Sequence, residues 1–148
     1  MEPLRPSSLP EGASAPDPGF VGRGFRWPMG VDHTGSIALT GGADDLDSSI
    51  RVVLATAPSE RVMRPSFGCK IWDLLFEPVN TNTLGLMNRA VREAIAQWEP
   101  RVEVEHVDVS PDGADTSLVH ITVTVRVRAT NSKRNLVYPF YVIPREEQ

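Results

Sequence analysis

Imidazole side chains are scarce in this sequence, which contains 3 histidines, His33, His106 and His120. A zinc site usually needs three or four well-placed nitrogen or sulfur ligands. His106 and His120 could face each other across a predicted hairpin, but two imidazoles do not complete such a site. We therefore interpret the histidines as surface or packing residues and expect no metal and no cofactor.

The chain has 1 cysteine, Cys69, which cannot form an internal disulfide. A nucleophilic cysteine needs an activated thiolate and a histidine base. The sequence places no histidine beside Cys69. We predict a small, half-buried residue that follows the turn at Gly68.

Carboxylates offer the remaining candidate chemistry, because two acids on either side of a glycosidic bond can hydrolyse a sugar polymer. The candidate acids for such a reaction are Glu77, Glu99, Glu103 and Glu105. Glu103 and Glu105 alternate along a predicted strand and share a face, a pattern typical of solvated charge. The sequence therefore favours a protein without catalytic residues, and a glycosidase is the alternative.

Length and charge limit the classes of function. With 148 residues the chain fits one domain and a tail, and its net charge of -4 disfavours binding to nucleic acid. The sequence has no secretory signal pattern and no run of ~18 apolar residues, so we expect no direct membrane insertion and a location in the cytoplasm during assembly.

The N-terminal region differs in composition from the rest of the chain. Residues 1–19 are rich in proline, serine, alanine and glycine, which predicts a disordered tail. Residues 20–148 are predicted to form one domain. In its first part, up to Gly42, apolar side chains alternate with glycines, which indicates an extended arm that lies across the domain surface.

The first helix is predicted to begin at Asp44 or Asp45, either of which could cap it. It should end before Pro58. A loop is expected over residues 59–68, followed by one or two helical turns within residues 71–76.

A second helix shows the clearest periodicity. Asn80 or Thr81 offers an N-cap, and Pro100 ends the pattern. One apolar stripe follows the helical spacing and should form the centre of the core: Leu84, Met87, Val91, Ala94, Ile95 and Trp98.

After Pro100 the apolar period becomes alternating, which predicts strands. The phase changes near His106, which indicates a β-bulge. A turn at residues 111–113 separates this strand from the next, in which valine and isoleucine occupy every odd position from Val119 to Val127. This pattern is typical of an antiparallel sheet with one buried face.

The last predicted strand covers residues 136–142, after a polar connection over residues 131–135. Pro139 has no amide hydrogen and cannot serve a central ladder, so this strand should lie at a sheet edge. The predicted fold class is α+β, with two to three helices packed on a small antiparallel sheet that has an open edge strand.

Two connections carry charge and aromatic residues without catalytic spacing. One is the segment from Arg61 to Phe67. The other is Glu99-Pro100-Arg101, where proline stops the helix and the two charges are expected to point outward. From these residues alone, a helix stop with an incidental ion pair is the favoured explanation of this corner.

The order of these features resembles the phage baseplate wedge family, which includes sheath initiators of type VI secretion and extracellular contractile injection systems. The resemblance covers about residues 20–143 and is carried by these segments: Gly22-Arg23-Gly24-Phe25, Trp27-Pro28, Thr34-Gly35 with Ile37, Arg61, Arg64-Pro65, Phe67-Gly68, Leu75-Phe76-Glu77-Pro78 and Glu99-Pro100-Arg101. The proline-rich start departs from the family pattern.

The resemblance implies a structural component that links the baseplate wedge and inner tube to the first sheath layer and templates sheath assembly by strand addition. The implied partners are the sheath protein, baseplate wedge proteins and inner tube or hub proteins, with several copies in a sixfold ring. Glu99, Pro100 and Arg101 would bind the baseplate core. The edge strand would bind the sheath through Leu136, Val137, Tyr138, Phe140, Tyr141 and Val142. Members of the family have also carried a lysozyme label, so the resemblance implies as the alternative a lysozyme-like enzyme of a phage tail that cleaves peptidoglycan.

Overall fold

The computed structural model describes residues 23–26 and 28–143, so the predicted tail over residues 1–19 lies outside the described residues. Two short strands come first and are followed by two helices, which a short 3-10 helix separates. Three longer strands complete the fold. In chain order these are β1 (Arg23–Phe25), β2 (Leu39–Gly41), α1 (Ala43–Ala55), the 3-10 helix (Lys70–Leu74), α2 (Thr81–Trp98), β3 (Val102–Pro111), β4 (Leu118–Val127) and β5 (Ser132–Tyr141).

The three long strands form an antiparallel sheet in the order β3-β4-β5, and β1 pairs with β2 in a separate ribbon. The helices cover one face of the sheet, which confirms the predicted α+β class. β4 is central, so β3 and β5 are the two edge strands, as Pro139 predicted for β5.

The buried face of β4 follows the predicted alternation, with every odd position at 3% exposure or less. These side chains fill the core with the apolar faces of the helices. The sheet contributes Val119, Ile121, Val123, Val125 and Val127 to this core.

The predicted bulge lies in β3, where the register shifts between Val104 and His106. The shift brings Val102 and Val107 to the same buried side despite their odd spacing. His106 and His120, which could have faced each other across a hairpin, do not pair. This register places His106 opposite Thr124 and His120 opposite Ser110, so the imidazoles lie at different levels of the sheet.

The second helix, α2, begins as predicted at Asn80, whose side-chain Oδ1 accepts the backbone N–H of Thr83 at 2.9 Å. It ends at Trp98, next to the proline stop. Its buried stripe includes Met87, Val91, Ala94 and Ile95.

The start of α1 differs from the prediction. Its N-cap is Gly42, in the left-handed region with φ 64°, and no side chain caps the helix. The predicted caps, Asp44 and Asp45, lie in the first turn instead. Asp45 is buried and accepts a hydrogen bond from another part of the chain, which removes it from the capping role.

The last strand, β5, begins at Ser132, so the predicted polar connection over residues 131–135 is largely strand. The turn residue is Asn131, with φ 51°. Charged side chains at the start of β5 are held by ion pairs, Lys133 with Glu105 and Arg134 with Asp47. These partners let a polar sequence continue the ladder.

The described N-terminal segment folds back on itself as a hairpin and does not cross the surface as an extended arm. Arg23 pairs with Gly41, and the Asp32 carboxylate at the tip accepts the backbone N–H groups of Thr34 and Ser36. Most of its large apolar side chains are exposed: Phe25, Met29, Val31, Ile37 and Leu39.

Candidate functional site

The Glu99-Pro100-Arg101 corner is turned inward, contrary to the prediction that its charges point out. Glu99 is 2% exposed and caps the C-terminus of α2. The Arg101 guanidinium closes on it with two bonds, Nε to Oε1 at 2.6 Å and Nη2 to Oε2 at 2.8 Å. Because a bidentate bond satisfies both carboxylate oxygens, Glu99 can be buried without leaving polar atoms unpaired. Pro100 is exposed.

Two residues of α1 complete this network. Arg101 Nη1 donates to Asp45 Oδ2 at 2.9 Å, and the Ser49 hydroxyl donates to Glu99 Oε2 at 2.5 Å. The network joins the start of α1 to the junction of α2 and β3. Sequence reasoning missed Asp45 and Ser49. The available signal was their spacing of four along a helix whose neighbouring positions, Leu46 and Ile50, are apolar.

The electrostatics of the corner favour ionised groups. Burial opposes the charge on Glu99, but hydrogen bonds from Arg101 and Ser49 outweigh it and hold the Glu99 pKa below its ordinary value. The hydrogen bond with Glu99 in turn raises the pKa of Arg101. Glu99 is therefore a carboxylate at neutral pH and is not poised to donate a proton.

Strand β1 packs against the same network at Gly24. A Cβ on Gly24 would lie 2.1 Å from Asp45 Oδ1, too close for any other residue to fit without displacing the carboxylate. Glycine is thus required at position 24 of the Gly22–Phe25 motif, because β1 approaches Asp45 closely there.

A groove of about 440 Å³ opens above the corner, and we call it the corner groove. Its aromatic wall is ordered, because the Phe67 and Trp98 rings lie 5.1 Å apart and the Arg61 guanidinium stacks 4.3 Å from the Phe67 centroid. Charged and apolar side chains line this groove. The charged ones include Asp45 and Arg101, and the apolar ones include Phe25, Met29, Phe67 and Trp98.

The outer edge of β5 is the second candidate site. Val142 N–H donates to the Ser117 carbonyl at 2.7 Å, on the side of β4. Because successive residues of a strand direct their N–H and C=O groups to opposite sides, even-numbered residues of β5 bond to β4 and odd-numbered ones point away from it. The outward positions are Lys133, Asn135, Val137, Pro139 and Tyr141.

This parity explains how β5 tolerates proline. Pro139 occupies an outward position, so its missing N–H removes no bond to β4. The open stretch ends just after Tyr141, since Ile143 N–H donates to the Leu75 carbonyl at 2.9 Å. Among residues 23–26 and 28–143, none pairs with the outer edge of β5 from Lys133 to Tyr141.

The predicted edge residues divide into two groups. Val137 and Tyr141 have outward backbone groups and exposed side chains, at 49% and 59%. The others bond toward β4 and face the core or its border: Leu136, Tyr138, Phe140 and Val142.

One carbonyl on the outer edge of β3 is bound by a side chain. Asp112 N–H donates to Leu118 C=O at 2.9 Å, so even-numbered residues at this end of β3 bond to β4 and Val107 points away. The Asn88 side-chain amide on α2 donates to the Val107 carbonyl at 2.5 Å. Helix α2 thus reaches the edge opposite to β5 at this carbonyl.

The other candidate residues do not form a reactive set. Cys69 is fully buried, not half-buried as predicted, and desolvation raises its thiol pKa to about 11. Across residues 23–26 and 28–143, no group of three or more histidine, cysteine or acidic side chains could hold a metal. Within the same ranges, none of the helices has the length and apolar character that crossing a membrane requires.

The fold defines a class of small α+β proteins in which helices pack on a three-stranded antiparallel sheet with β3 and β5 at its edges. The family described as baseplate wedge protein gp25 matches residues 40–132, and the chain belongs to it. The chain is thus a baseplate wedge-type structural component of contractile injection systems, which confirms the family resemblance.

Individual relatives agree with the family assignment. Baseplate wedge protein gp25 of Enterobacteria phage T4 is 28% identical over 91 residues, which span 62% of this chain and 69% of the phage protein. A Geobacter sulfurreducens crystal structure with a tail lysozyme name is 48% identical, with a TM-score of 0.67, and the match covers 72% of this chain and 96% of that one.

A chain of the anti-feeding prophage baseplate has the same fold. Its TM-score is 0.64 at 24% identity, and the match covers 85% of this chain and 90% of that chain. This likeness extends the fold assignment to most of the chain.

Proposed function

We propose that the chain joins the baseplate to the first sheath layer by accepting a sheath strand along the open edge of β5. The observation that carries the proposal is the row of outward backbone groups from Lys133 to Tyr141, which no residue of the described chain covers. Such a row is a template for an added strand.

The edge can support a joint of moderate strength. Five outward residues supply five carbonyls and, because Pro139 lacks one, four N–H groups. A backbone hydrogen bond contributes ~0.5–1.5 kcal/mol net, so one edge alone gives a modest affinity. Copies arranged in a sixfold ring would act together and raise the effective concentration of neighbouring sites. The anti-feeding prophage baseplate structure is itself 6-fold symmetrised.

The rest of the chain would face the baseplate. Glu99, Pro100 and Arg101 are proposed to bind the wedge core, with inner tube or hub proteins nearby. Because Glu99 is buried, Pro100 and the exposed third of Arg101 would make the contacts, and Glu99 would hold Arg101 in place. Assembly is proposed to occur in the cytoplasm.

The experiment that tests strand addition compares Tyr141→Pro with Tyr141→Ala. Both variants remove the aromatic side chain, but only proline removes the outward N–H. Neither change removes a bond to β4, because position 141 points outward. We expect particles with Tyr141→Pro to carry tubes without normal sheath, whereas Tyr141→Ala retains more sheath.

Electron microscopy of purified particles gives the sheath length, and circular dichroism confirms that each isolated variant is folded. Sheath of normal length in the Tyr141→Pro particles would refute strand addition at this edge. Equal loss of sheath in both variants would assign the contact to the tyrosine side chain.

A lysozyme-like activity is less well supported by the candidate carboxylates. A glycosidase needs one carboxyl held protonated as the general acid, and Glu99 has the opposite pKa shift. Glu77 is exposed. Turnover of purified peptidoglycan by the wild-type protein, lost in Glu77→Gln or Glu99→Gln, would restore the enzyme hypothesis.

A further inference from the structure

The loop between α1 and the 3-10 helix has a fixed backbone conformation. Ser59 N–H donates to Pro65 C=O at 2.7 Å, which closes the loop at its base. Within it, Arg64 N–H donates to Arg61 C=O at 3.2 Å and Phe67 N–H to Arg64 C=O at 3.0 Å. These bonds form consecutive turns, so the loop is ordered without any partner.

Side chains attach this loop to the core. The Arg61 guanidinium lies over Phe67, and the Phe67 ring contacts Trp98 on α2. The Glu60 carboxylate accepts the Ala57 N–H at 2.9 Å, which engages the acidic side chain next to the loop. The base of the loop is therefore rigid.

The tip of the loop, Arg61–Arg64, displays two adjacent apolar side chains in water. Val62 is 93% exposed and Met63 is 92% exposed, and no other large hydrophobic side chain of the described chain exceeds 72%. Neither side chain lines the corner groove. An ordered loop that holds two apolar side chains away from its own core is typical of a contact surface.

We infer that the Arg61–Arg64 tip inserts Val62 and Met63 into an apolar pocket of another baseplate protein, and that aspartate or glutamate side chains edge this pocket. The acidic edge follows from charge, because Arg61 and Arg64 flank the apolar pair and Glu60 is engaged by Ala57 N–H. A preformed loop loses little conformational entropy on docking. The contact is separate from the β5 edge and does not depend on strand addition.

Photo-crosslinking in intact particles tests this contact directly. A benzophenone amino acid replaces Met63 in one strain and Val31, which is 72% exposed on the hairpin, in a control strain. We expect position 63 to crosslink to one baseplate protein, at a peptide with acidic residues beside apolar ones. No crosslink from position 63, or the same distribution of products as from position 31, would overturn the inference.

Substitution gives a quantitative test. Val62→Asp with Met63→Asp should lower the occupancy of the chain in particles about tenfold or more, the factor expected when anchoring side chains are lost. Val31→Asp is the control for an exposed apolar residue. Melting temperatures should match the wild type, because both tip side chains lie in water. Equal occupancy of the double variant and the wild type would contradict the inference, as would an equal loss in Val31→Asp.

Two other occupants give distinct results. If the wild type floats with vesicles that contain phosphatidylglycerol and the double variant does not, the tip binds an anionic lipid surface instead of a protein pocket. If the wild type forms a dimer in size-exclusion chromatography and the double variant does not, the tip binds a second copy of the chain instead. Absence of both, together with the crosslink, supports the protein pocket.

Discussion

The two edges of the sheet differ in how their backbone groups are satisfied. On β3, the outward Val107 carbonyl accepts a hydrogen bond from Asn88 of α2. On β5, the outward groups from Lys133 to Tyr141 have no cover within the described chain. The difference favours β5 as the edge that a further strand extends, because helix α2 reaches the outer edge of β3.

Each edge strand is also tied to α1 by an arginine, but with different burial. Arg101, beside β3, pairs with Glu99 and Asp45, whose side chains are 3% and 9% exposed. Arg134, on β5, pairs with Asp47, which is 26% exposed. The ion pairs that tie β3 to α1 are thus more deeply buried than the ion pair that ties β5 to α1. We call them the buried tether and the solvated tether.

The largest expected effect comes from the buried tether. Arg101→Met leaves the Glu99 and Asp45 carboxylates buried without their cation, and it should lower the free energy of unfolding by about 2–4 kcal/mol. The upper part of the range for buried pairs is not expected, because 34% of the Arg101 side chain is exposed. Denaturant unfolding at pH 7 measures the change.

A surface arginine is the matched control for this variant. Arg89→Met removes an exposed ion pair with Glu93, and we expect almost no change. Because the pKa of Glu99 is lowered in the folded wild type, the ionised pair stabilises above pH 4.5 and loses this contribution as pH falls through the folded pKa. The difference between Arg101→Met and wild type should therefore shrink in acid. A difference that does not depend on pH would contradict the role of the pair.

An intermediate effect is expected at the outer edge of β3. Asn88→Ala removes the donor to the Val107 carbonyl, and an unsatisfied group at this edge costs about 1–2 kcal/mol. Chemical denaturation gives the stability, and hydrogen exchange shows whether the backbone around Val107 opens. If stability is unchanged and the variant stays monomeric, Asn88 does not protect this edge.

The smallest effect is expected at the solvated tether. Arg134→Met breaks the pair with Asp47 and should lower the free energy of unfolding by about 0.5–1 kcal/mol, less than Arg101→Met. The same denaturant experiment ranks the two variants. An equal or larger loss for Arg134→Met would reverse the proposed difference between the two sides.

Local patterns in the sequence predicted most of the fold. The period of α2, the alternation of β4, the bulge near His106 and the edge position implied by Pro139 are all properties of neighbouring residues, and the structure confirms them. The backbone parity of β5 also follows from one residue, Pro139.

Three of the errors, at the Glu99 corner, the start of α1 and the start of β5, share one physical cause, which is ion pairing between distant parts of the chain. Arg101 binds Asp45 across 56 residues, and Arg134 binds Asp47 across 87 residues. The first pair turns the Glu99 corner inward and takes Asp45 from its predicted capping role. The second supports the polar start of β5. Local spacing does not show which arginine pairs with which aspartate.

The central claim is that the outward amides of β5 pair with a strand from another chain. Hydrogen exchange tests this claim most directly. In the isolated protein, the amides of Val137 and Tyr141 should exchange quickly while those of Leu136 and Tyr138 are protected by β4. In particles that carry sheath, Val137 and Tyr141 should become protected, with no change at Val107. Fast exchange of Val137 and Tyr141 in sheathed particles, or full protection in the isolated protein, would contradict strand addition at β5.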